Sequence, residues 1–260
     1  MSCDLAGIGV LVTRPSGQAQ PMCDLITNLG GTPVPFPTVA ISGPQDLAMA
    51  EECLDQISGY DLLIFVSPNA VRFTLELMGN KALPTGLHIA AVGKGTARVL
   101  ELSGIEVDLL PQDRFDSEAL LELPELAEVE DQRILILRGN GGRALLGDTL
   151  HERGAEVEYA EVYTRNKVTA DAAPLISAWS QQIQIATATS CEILENLFHL
   201  LGEPGRPLLC QTPLVVVSER IKTRARELGC DNIILANETS DQGLIRSICN
   251  WVEQDRTSQV

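Results

Sequence analysis

The sequence predicts an α/β protein with doubly wound parallel sheets, and three observations support this fold class. Short apolar runs rich in Val, Ile and Leu recur along the 260 residues, as is typical of strands buried on both faces of a parallel sheet. Helical patterns separate the runs, with apolar residues three or four apart, as at Val71, Leu75 and Met78. The length is close to the limit of a single core, so we expect two domains.

The apolar runs predict ten strands in chain order. They cover residues 10–13, 32–41, 62–66, 89–92, 107–110, 134–137, 157–163, 183–187, 214–217 and 232–235. Ten strands are too many for one small sheet, so we expect five strands in each of two sheets.

An internal repeat supports this division. Residues 9–14, followed by a helix and Gly30, match residues 133–138 with their helix and Gly154. Residues 60–79 match 183–202, which aligns Ser67 with Ser190, and residues 87–120 match 212–245. Three blocks in the same order, at offsets between 123 and 125 residues, indicate a duplicated five-strand unit.

The two longest predicted strands suggest how the copies are connected. Residues 32–41 contain three prolines, which suit an edge strand or a connector better than a sheet centre. If residues 32–41 and about 157–165 form a two-stranded linker, the two halves of the chain exchange their first units. We then expect one domain from residues 1–38 plus 168–260, and a second from residues 39–167.

Composition excludes several classes of protein. Lys and Arg total 19 against 35 Asp and Glu, a net charge of −16, which argues against nucleic acid or an anionic membrane surface as a partner. No stretch approaches the length of a membrane span. The start of the chain lacks the pattern of a secretion signal, so we expect a cytoplasmic protein.

Cysteine and histidine patterns favour no metal site. The seven cysteines are widely spaced and form no Cys-x-x-Cys pair, and the three histidines show no metal-ligand spacing. We expect free, mostly buried thiols and no metal. A nucleophilic Gly-x-Ser-x-Gly elbow is also absent from the sequence.

Polar residues at the carboxyl ends of predicted strands are the candidate ligand contacts. Arg14 and Arg138 follow matching strands and suit bidentate carboxylate binding, although a helix-edge salt bridge is the alternative. Ser67 and Ser190 follow another matching pair, as helix N-caps, ligand contacts or both. Residues 139–144 read Gly-x-Gly-x-x-Ala, either a nucleotide-binding fingerprint or a glycine-rich turn for another anion.

These elements together resemble the uroporphyrinogen-III synthase family. The resemblance covers nearly the whole chain and rests on an ordered series of segments: Val12-Thr13-Arg14-Pro15, residues 30–41, Phe65-Val66-Ser67-Pro68-Asn69-Ala70-Val71, residues 91–97, Leu137-Arg138-Gly139 and Ala160-Glu161-Val162-Tyr163.

The resemblance implies two doubly wound, flavodoxin-like domains joined by a two-stranded linker, with the active site in the cleft between them. It implies a cofactor-free reaction on hydroxymethylbilane, a linear tetrapyrrole with eight carboxylate arms. The hydroxyl leaves, the last pyrrole ring inverts through a spirocyclic intermediate, and the macrocycle closes as uroporphyrinogen III. We expect a monomer.

The resemblance also assigns candidate roles to individual residues. Tyr163 takes the position of the family's favoured catalytic tyrosine, and its phenol would hydrogen-bond the departing hydroxyl and supply a proton. The alternative is a half-buried linker tyrosine without a chemical role. Together with the strand-end residues, the candidate substrate contacts are Arg14, Ser67, Asn69, Lys94, Thr96, Arg138, Gly139, Ser190 and Ser218.

An acidic protein that binds a polyanion needs a locally positive site. The cations near predicted strand ends are Arg14, Arg72, Lys94, Arg138, Arg143 and Arg220, and helix N-termini and loop amides add to them. Two other functions stay open on the sequence alone. One is a two-lobed small-molecule sensor, and the other is a nucleotide-dependent transferase or reductase that uses the loop at residues 139–144.

Overall fold

The structure is a computed structural model that describes residues 3–79, 81–142 and 144–258. Its strands are β1 Gly9–Val12, β2 Thr32–Pro35, β3 Val39–Ser42, β4 Leu62–Phe65, β5 His88–Ala91, β6 Arg133–Gly139, β7 Glu156–Lys167, β8 Ile185–Ala188, β9 Leu214–Val216 and β10 Ile233–Leu235. Its α-helices are α1 Ser16–Asn28, α2 Leu47–Asp55, α3 Pro68–Met78, α4 Lys94–Leu102, α5 Ser117–Leu121, α6 Leu145–Glu152, α7 Ala173–Gln182, α8 Cys191–Gln211, α9 Glu219–Glu227 and α10 Asp241–Ser258.

The chain divides into two compact units. Unit 1 contains Met1–Ile41 and Asn166–Val260, and unit 2 contains Ser42–Arg165. The strands of the first sheet lie in the order β10-β9-β8-β1-β2, and those of the second in the order β3-β7-β6-β4-β5. The described pairings between strands are parallel. The fold is therefore mixed α/β with parallel sheets, as the sequence predicts.

The sheet of unit 1 is covered on both faces. Alternate residues of β1 belong to different apolar clusters, with Leu11 in one and Val10 and Val12 in the other. The first cluster includes helices α7 and α8, and the second includes α1 and α10. Burial on both faces explains why these strands are continuous apolar runs.

Two predicted strands differ from the structure. Residues 32–41 form two strands, and the chain between β2 and β3 contains Pro37, which has no N–H to donate to a ladder. The predicted strand at residues 107–110 is wrong: among the described residues there, only Leu109 forms a bridge, to Ala90. The Asp108 carboxylate accepts the Ile89 N–H at 2.7 Å, in place of a backbone carbonyl.

The expectation of free thiols is wrong for two of the seven cysteines. Cys3 and Cys249 form a disulfide across a sequence separation of 246 residues. It ties the start of the described chain to α10, within unit 1. Five cysteines are free, and Cys23 and Cys230 are buried.

Candidate active site

The candidate site in unit 2 lies at the carboxyl end of β6. Strands β6 and β7 pair in parallel, with Arg138 opposite Glu161 and Gly139 opposite Tyr163. The register therefore slips by one residue of β7 at this point, and such a bulge changes the direction of the side chains that follow it. The slip places Tyr163 against the last residue of β6.

Tyr163 is almost completely buried, at 1% exposure, and its phenol has two polar partners. The Ser67 Oγ lies 3.0 Å from the phenol oxygen, and Arg165 Nη2 donates to that oxygen at 3.0 Å. The Phe73 ring stacks on the Tyr163 ring, with the centroids 5.8 Å apart. A buried phenol is thus held in one orientation by both packing and hydrogen bonds.

Gly139 makes this position of the ring possible. A Cβ atom at residue 139 would lie 2.6 Å from both Cε2 and Cζ of Tyr163, closer than real Cβ contacts allow. The absence of a side chain lets the phenol ring pack directly on the backbone of β6.

Arg138 lies next to Tyr163 in the same part of the sheet. Its guanidinium carbon is 4.0 Å from the centre of the Tyr159 ring, a cation–π contact. Its Nη2 donates to Glu161 Oε1 at 3.2 Å, and the Gly141 N–H donates to the same oxygen at 3.3 Å. The Glu161 carboxylate therefore already binds the Arg138 guanidinium and the Gly141 N–H.

A cavity of about 160 Å³ lies against these residues. Its described lining includes Arg138, Arg165 and Tyr163, residues 139–142, and no carboxylate side chain. Guanidinium groups and glycine-loop amides are donors that suit a carboxylate ligand. The cavity therefore suits an anionic group.

Four other predicted site residues also lie in unit 2. Ser67 is the N-cap of α3 and accepts the Ala70 N–H at 3.1 Å, and Asn69 lies in the first turn of that helix. Lys94, at the start of α4, lies 4.7 Å from the centre of the Phe115 ring. Thr96, two residues further along α4, is buried. Of this set, Ser67 is hydrogen-bonded to Tyr163.

Three predicted contacts lie in unit 1. Arg14 forms a salt bridge with Asp241 at 2.5 Å, which is the alternative that the sequence left open. Ser190 and Ser218 cap α8 and α9 and accept the N–H groups of Ile193 and Ile221. Of the further candidate cations, Arg72 and Arg220 are exposed, and Arg143 lies outside the described residues.

Arg165 and Asn140 belong to the site but were not among the predicted site residues. The Asn140 N–H donates to the Tyr163 carbonyl at 3.0 Å, and its Oδ1 accepts the Arg165 N–H at 2.7 Å. The sequence does contain a signal for Arg165. It lies two residues after Tyr163 in the predicted linker strand, and residues two apart in a strand face the same side. Asn140 lies in the glycine-rich turn at residues 139–144 that the sequence singled out, but its contacts with Tyr163 and Arg165 depend on where the loop after β6 turns.

Comparisons with known proteins identify the family. The family model described as uroporphyrinogen-III synthase HemD matches residues 20–246. The chain belongs to the uroporphyrinogen-III synthase family. It is 36% identical over 245 residues to the uroporphyrinogen-III synthase of Escherichia coli K12, covering 93% of this chain and 100% of the relative. The Salmonella typhimurium enzyme of the same name is 35% identical over 246 residues, with the same coverage.

Solved structures of uroporphyrinogen-III synthases share the fold. The structure of a mutant from Thermus thermophilus has a TM-score of 0.66 at 17% identity, over 94% of this chain and 98% of that one. A Helicobacter pylori structure has a TM-score of 0.60 at 16% identity, over 94% and 99% of the two chains. Membership in this enzyme family decides against the sensor and the nucleotide-dependent enzyme that the sequence left open.

The described residues contain neither a candidate membrane-spanning helix nor a candidate metal-binding cluster. Within residues 3–79, 81–142 and 144–258, no helix combines the length and apolar character that a membrane crossing requires. In the same part of the chain, no group of three or more His, Cys, Asp or Glu side chains is arranged to hold a metal ion.

Proposed function

We propose that Tyr163 and the cavity beside it carry out the chemistry of the uroporphyrinogen-III synthase reaction in this chain. As a member of the family, the chain cyclises hydroxymethylbilane to uroporphyrinogen III, with loss of water and inversion of the last pyrrole ring. The observation that carries the proposal is the buried phenol of Tyr163, held by Ser67 and Arg165 at the edge of a cavity whose described lining contains no carboxylate.

The two units correspond in this proposal to two flavodoxin-like domains. Read from its edge, the first sheet has the order β2-β1-β8-β9-β10, the doubly wound order 2-1-3-4-5. The unit boundaries fall inside β3 and β7, neighbouring strands of the second sheet, which supports a two-stranded linker. The predicted domain limits, a cytoplasmic location and a monomeric state stay predictions.

Carboxylate arms of the substrate bind through short-range donors. Arg138 and the backbone around Gly139 supply them at the cavity, where a carboxylate from the protein already meets Arg138 and the Gly141 N–H. The contacts of Ser67, Asn69, Lys94 and Thr96 in unit 2, and those of Arg14, Ser190 and Ser218 in unit 1, stay predictions.

Tyr163 acts as the proton donor to the hydroxyl that leaves. Protonation lets the carbon–oxygen bond break with water as the leaving group, and the remaining cation is attacked as the ring inverts and closes. A proton is lost from a pyrrole carbon in the closing step, so the proton inventory balances. Holding the linear tetrapyrrole in the geometry for ring closure supplies much of the acceleration, because ring closure needs no strong base.

The first test is a turnover assay with freshly made hydroxymethylbilane. The expected product is the type III isomer, whereas only the symmetrical type I ring would contradict the proposed function. Tyr163→Phe keeps the packing on Phe73 and should slow turnover by about 10- to 100-fold, the usual range for one proton-transfer group. Tyr60→Phe is the matched control, because the Tyr60 phenol donates to Glu158 and does not line the cavity. Turnover by Tyr163→Phe equal to that of the control would remove Tyr163 from the chemistry.

A further inference from the structure

We propose that Arg165 is a positioning residue for Tyr163. It holds the phenol oxygen as a hydrogen-bond acceptor and stabilises the negative charge that forms there when the phenol gives up its proton. This inference rests on the proposed role of Tyr163 in the reaction.

The contacts place the guanidinium of Arg165 at the oxygen end of the ring. Nη2 is 3.0 Å from the phenol oxygen, whereas the guanidinium carbon is 5.6 Å from the ring centre. Arg165 is itself an exposed residue, and the phenol that it reaches is buried. Arg165 therefore supplies a positive charge to an oxygen that has little access to water.

Asn140 connects the two residues through the backbone. Its N–H donates to the carbonyl of Tyr163, and its side-chain oxygen accepts the N–H of Arg165. The turn after β6 thus holds both ends of the three-residue segment 163–165. This arrangement restrains the backbone from which both side chains leave β7 on the same face.

The donors and acceptors around the Tyr163 phenol determine where its proton can go. A guanidinium only donates, so the phenol oxygen must be the acceptor of the Arg165 bond. The phenol proton is then free to point to Ser67 Oγ or to a substrate hydroxyl. Once that proton has moved to the hydroxyl, Arg165 Nη2 and the Ser67 hydroxyl can both donate to the phenolate.

The pair of donors resembles an oxyanion hole in its physical effect. Donors already in place stabilise a charge that appears only during the reaction, and they therefore lower the barrier more than they tighten binding. In the balanced step, the proton moves from the phenol to the hydroxymethyl oxygen and the carbon–oxygen bond breaks to release water. The phenolate regains a proton when the pyrrole carbon loses one on ring closure.

The test is a double-mutant cycle. Arg165→Gln should lower kcat by about 10- to 100-fold, with KM changed by less than about threefold. Arg165→Lys keeps the charge and should recover at least part of the lost kcat. In a Tyr163→Phe background, Arg165→Gln should lower kcat by no more than about twofold, because the group that it serves is gone.

Arg133→Gln provides the matched control. Arg133 also lies over a tyrosine, with its guanidinium carbon 4.8 Å from the Tyr60 ring centre, and it does not line the cavity. The kcat of this variant should stay within about twofold of the wild type, whatever its effect on stability. Thermal unfolding of every variant shows which of them are folded at the assay temperature.

Three results would overturn the inference. The same loss of kcat in the Tyr163→Phe background would show that Arg165 does not act through Tyr163. A change in KM alone would make Arg165 a substrate-carboxylate contact, and unchanged kinetics would give it no role. If Arg165→Gln does not fold, the charge-removing variant Arg165→Met takes its place in the cycle, and an equal loss of kcat in both backgrounds, or no loss in either, also overturns the proposal. The isomer that the wild type forms is measured in parallel. If it is type III, the proposed function holds, and any of these results then counts against the role of Arg165 alone.

Discussion

Replacing Gly139 with alanine should damage both stability and turnover. The added Cβ would lie 2.6 Å from two atoms of the Tyr163 ring, whereas ordinary contacts begin at 3.4 Å, so the ring must move by about 0.8 Å. The ring cannot do so freely, because Phe73 stacks on it and Ser67 and Arg165 bind its oxygen.

The size of each effect follows from this displacement. Overpacking a closely packed site typically costs about 1–3 kcal/mol, which in a chain of this size lowers Tm by roughly 3–10 °C. A catalytic group misplaced by about 1 Å loses on the order of 100-fold in rate. We therefore expect a turnover loss for Gly139→Ala that is at least as large as that for Tyr163→Phe.

Thermal unfolding and the hydroxymethylbilane assay measure the two effects. Gly43→Ala is the control: a Cβ added at residue 43 would have nothing within 4 Å, and the backbone there is not left-handed, so Tm and turnover should hardly change. Tyr163→Leu removes the ring atoms that cause the clash, and in that background Gly139→Ala should cost little further stability. If Gly139→Ala matches the wild type in both Tm and turnover, the packing argument for Tyr163 is wrong.

Three further predictions concern other parts of the chain. Cys3→Ser should lower the free energy of unfolding by about 2–5 kcal/mol under oxidising conditions and by much less in reductant; urea titrations in both buffers check this, and equal losses would contradict the pairing with Cys249. Burial raises the pKa of the Cys230 thiol from 9.0 to about 12. Between these two values the unfolded chain loses the thiol proton and the folded protein keeps it. The contribution of the thiol to the free energy of unfolding is therefore complete below pH 9 and falls by up to about 1.4 kcal/mol per pH unit from there to pH 12. Urea titrations of the wild type and Cys230→Ala across that range should converge, and parallel curves would refute the assignment. Glu161→Gln should lower KM for hydroxymethylbilane by about two- to fivefold, because a competing charge leaves Arg138; a KM that rises would show that Glu161 helps binding.

The repeat was the most informative sequence signal, and local chemistry explains why it worked. Ser67 and Ser190 align in the repeat, and each caps a helix by accepting the N–H three residues later, at 3.1 Å in both cases. Gly30 and Gly154 also align, and both have left-handed backbone, with φ at +80° and +88°. Features decided by a residue and its near neighbours are predictable from sequence, because the same residues give the same turn.

Features decided by distant parts of the chain were not predictable. The Cys3–Cys249 disulfide depends on how the topology brings the start of the chain to α10, and cysteine spacing holds no information about that. The position of Tyr163 against Gly139 depends on a one-residue slip between β6 and β7. A regular register would have placed Val162 there instead, so the family resemblance indicated Tyr163 as a candidate but not the contacts of its phenol.

The charge distribution links the fold to the proposed chemistry. With a net charge of −16, the protein as a whole repels a polyanion at long range, so attraction must begin within about a Debye length, roughly 8–10 Å. At the cavity this short-range attraction comes from Arg138, which a substrate carboxylate must share with Glu161, and from N–H groups of the loop after β6. Arg138 and Arg165 both lie beside the slip in register, on strands whose carboxyl ends share one edge of the sheet. The slip therefore sets where the Tyr163 ring packs on Gly139, and Arg165, two residues further along β7 on the same face, brings a positive charge to the Tyr163 phenol.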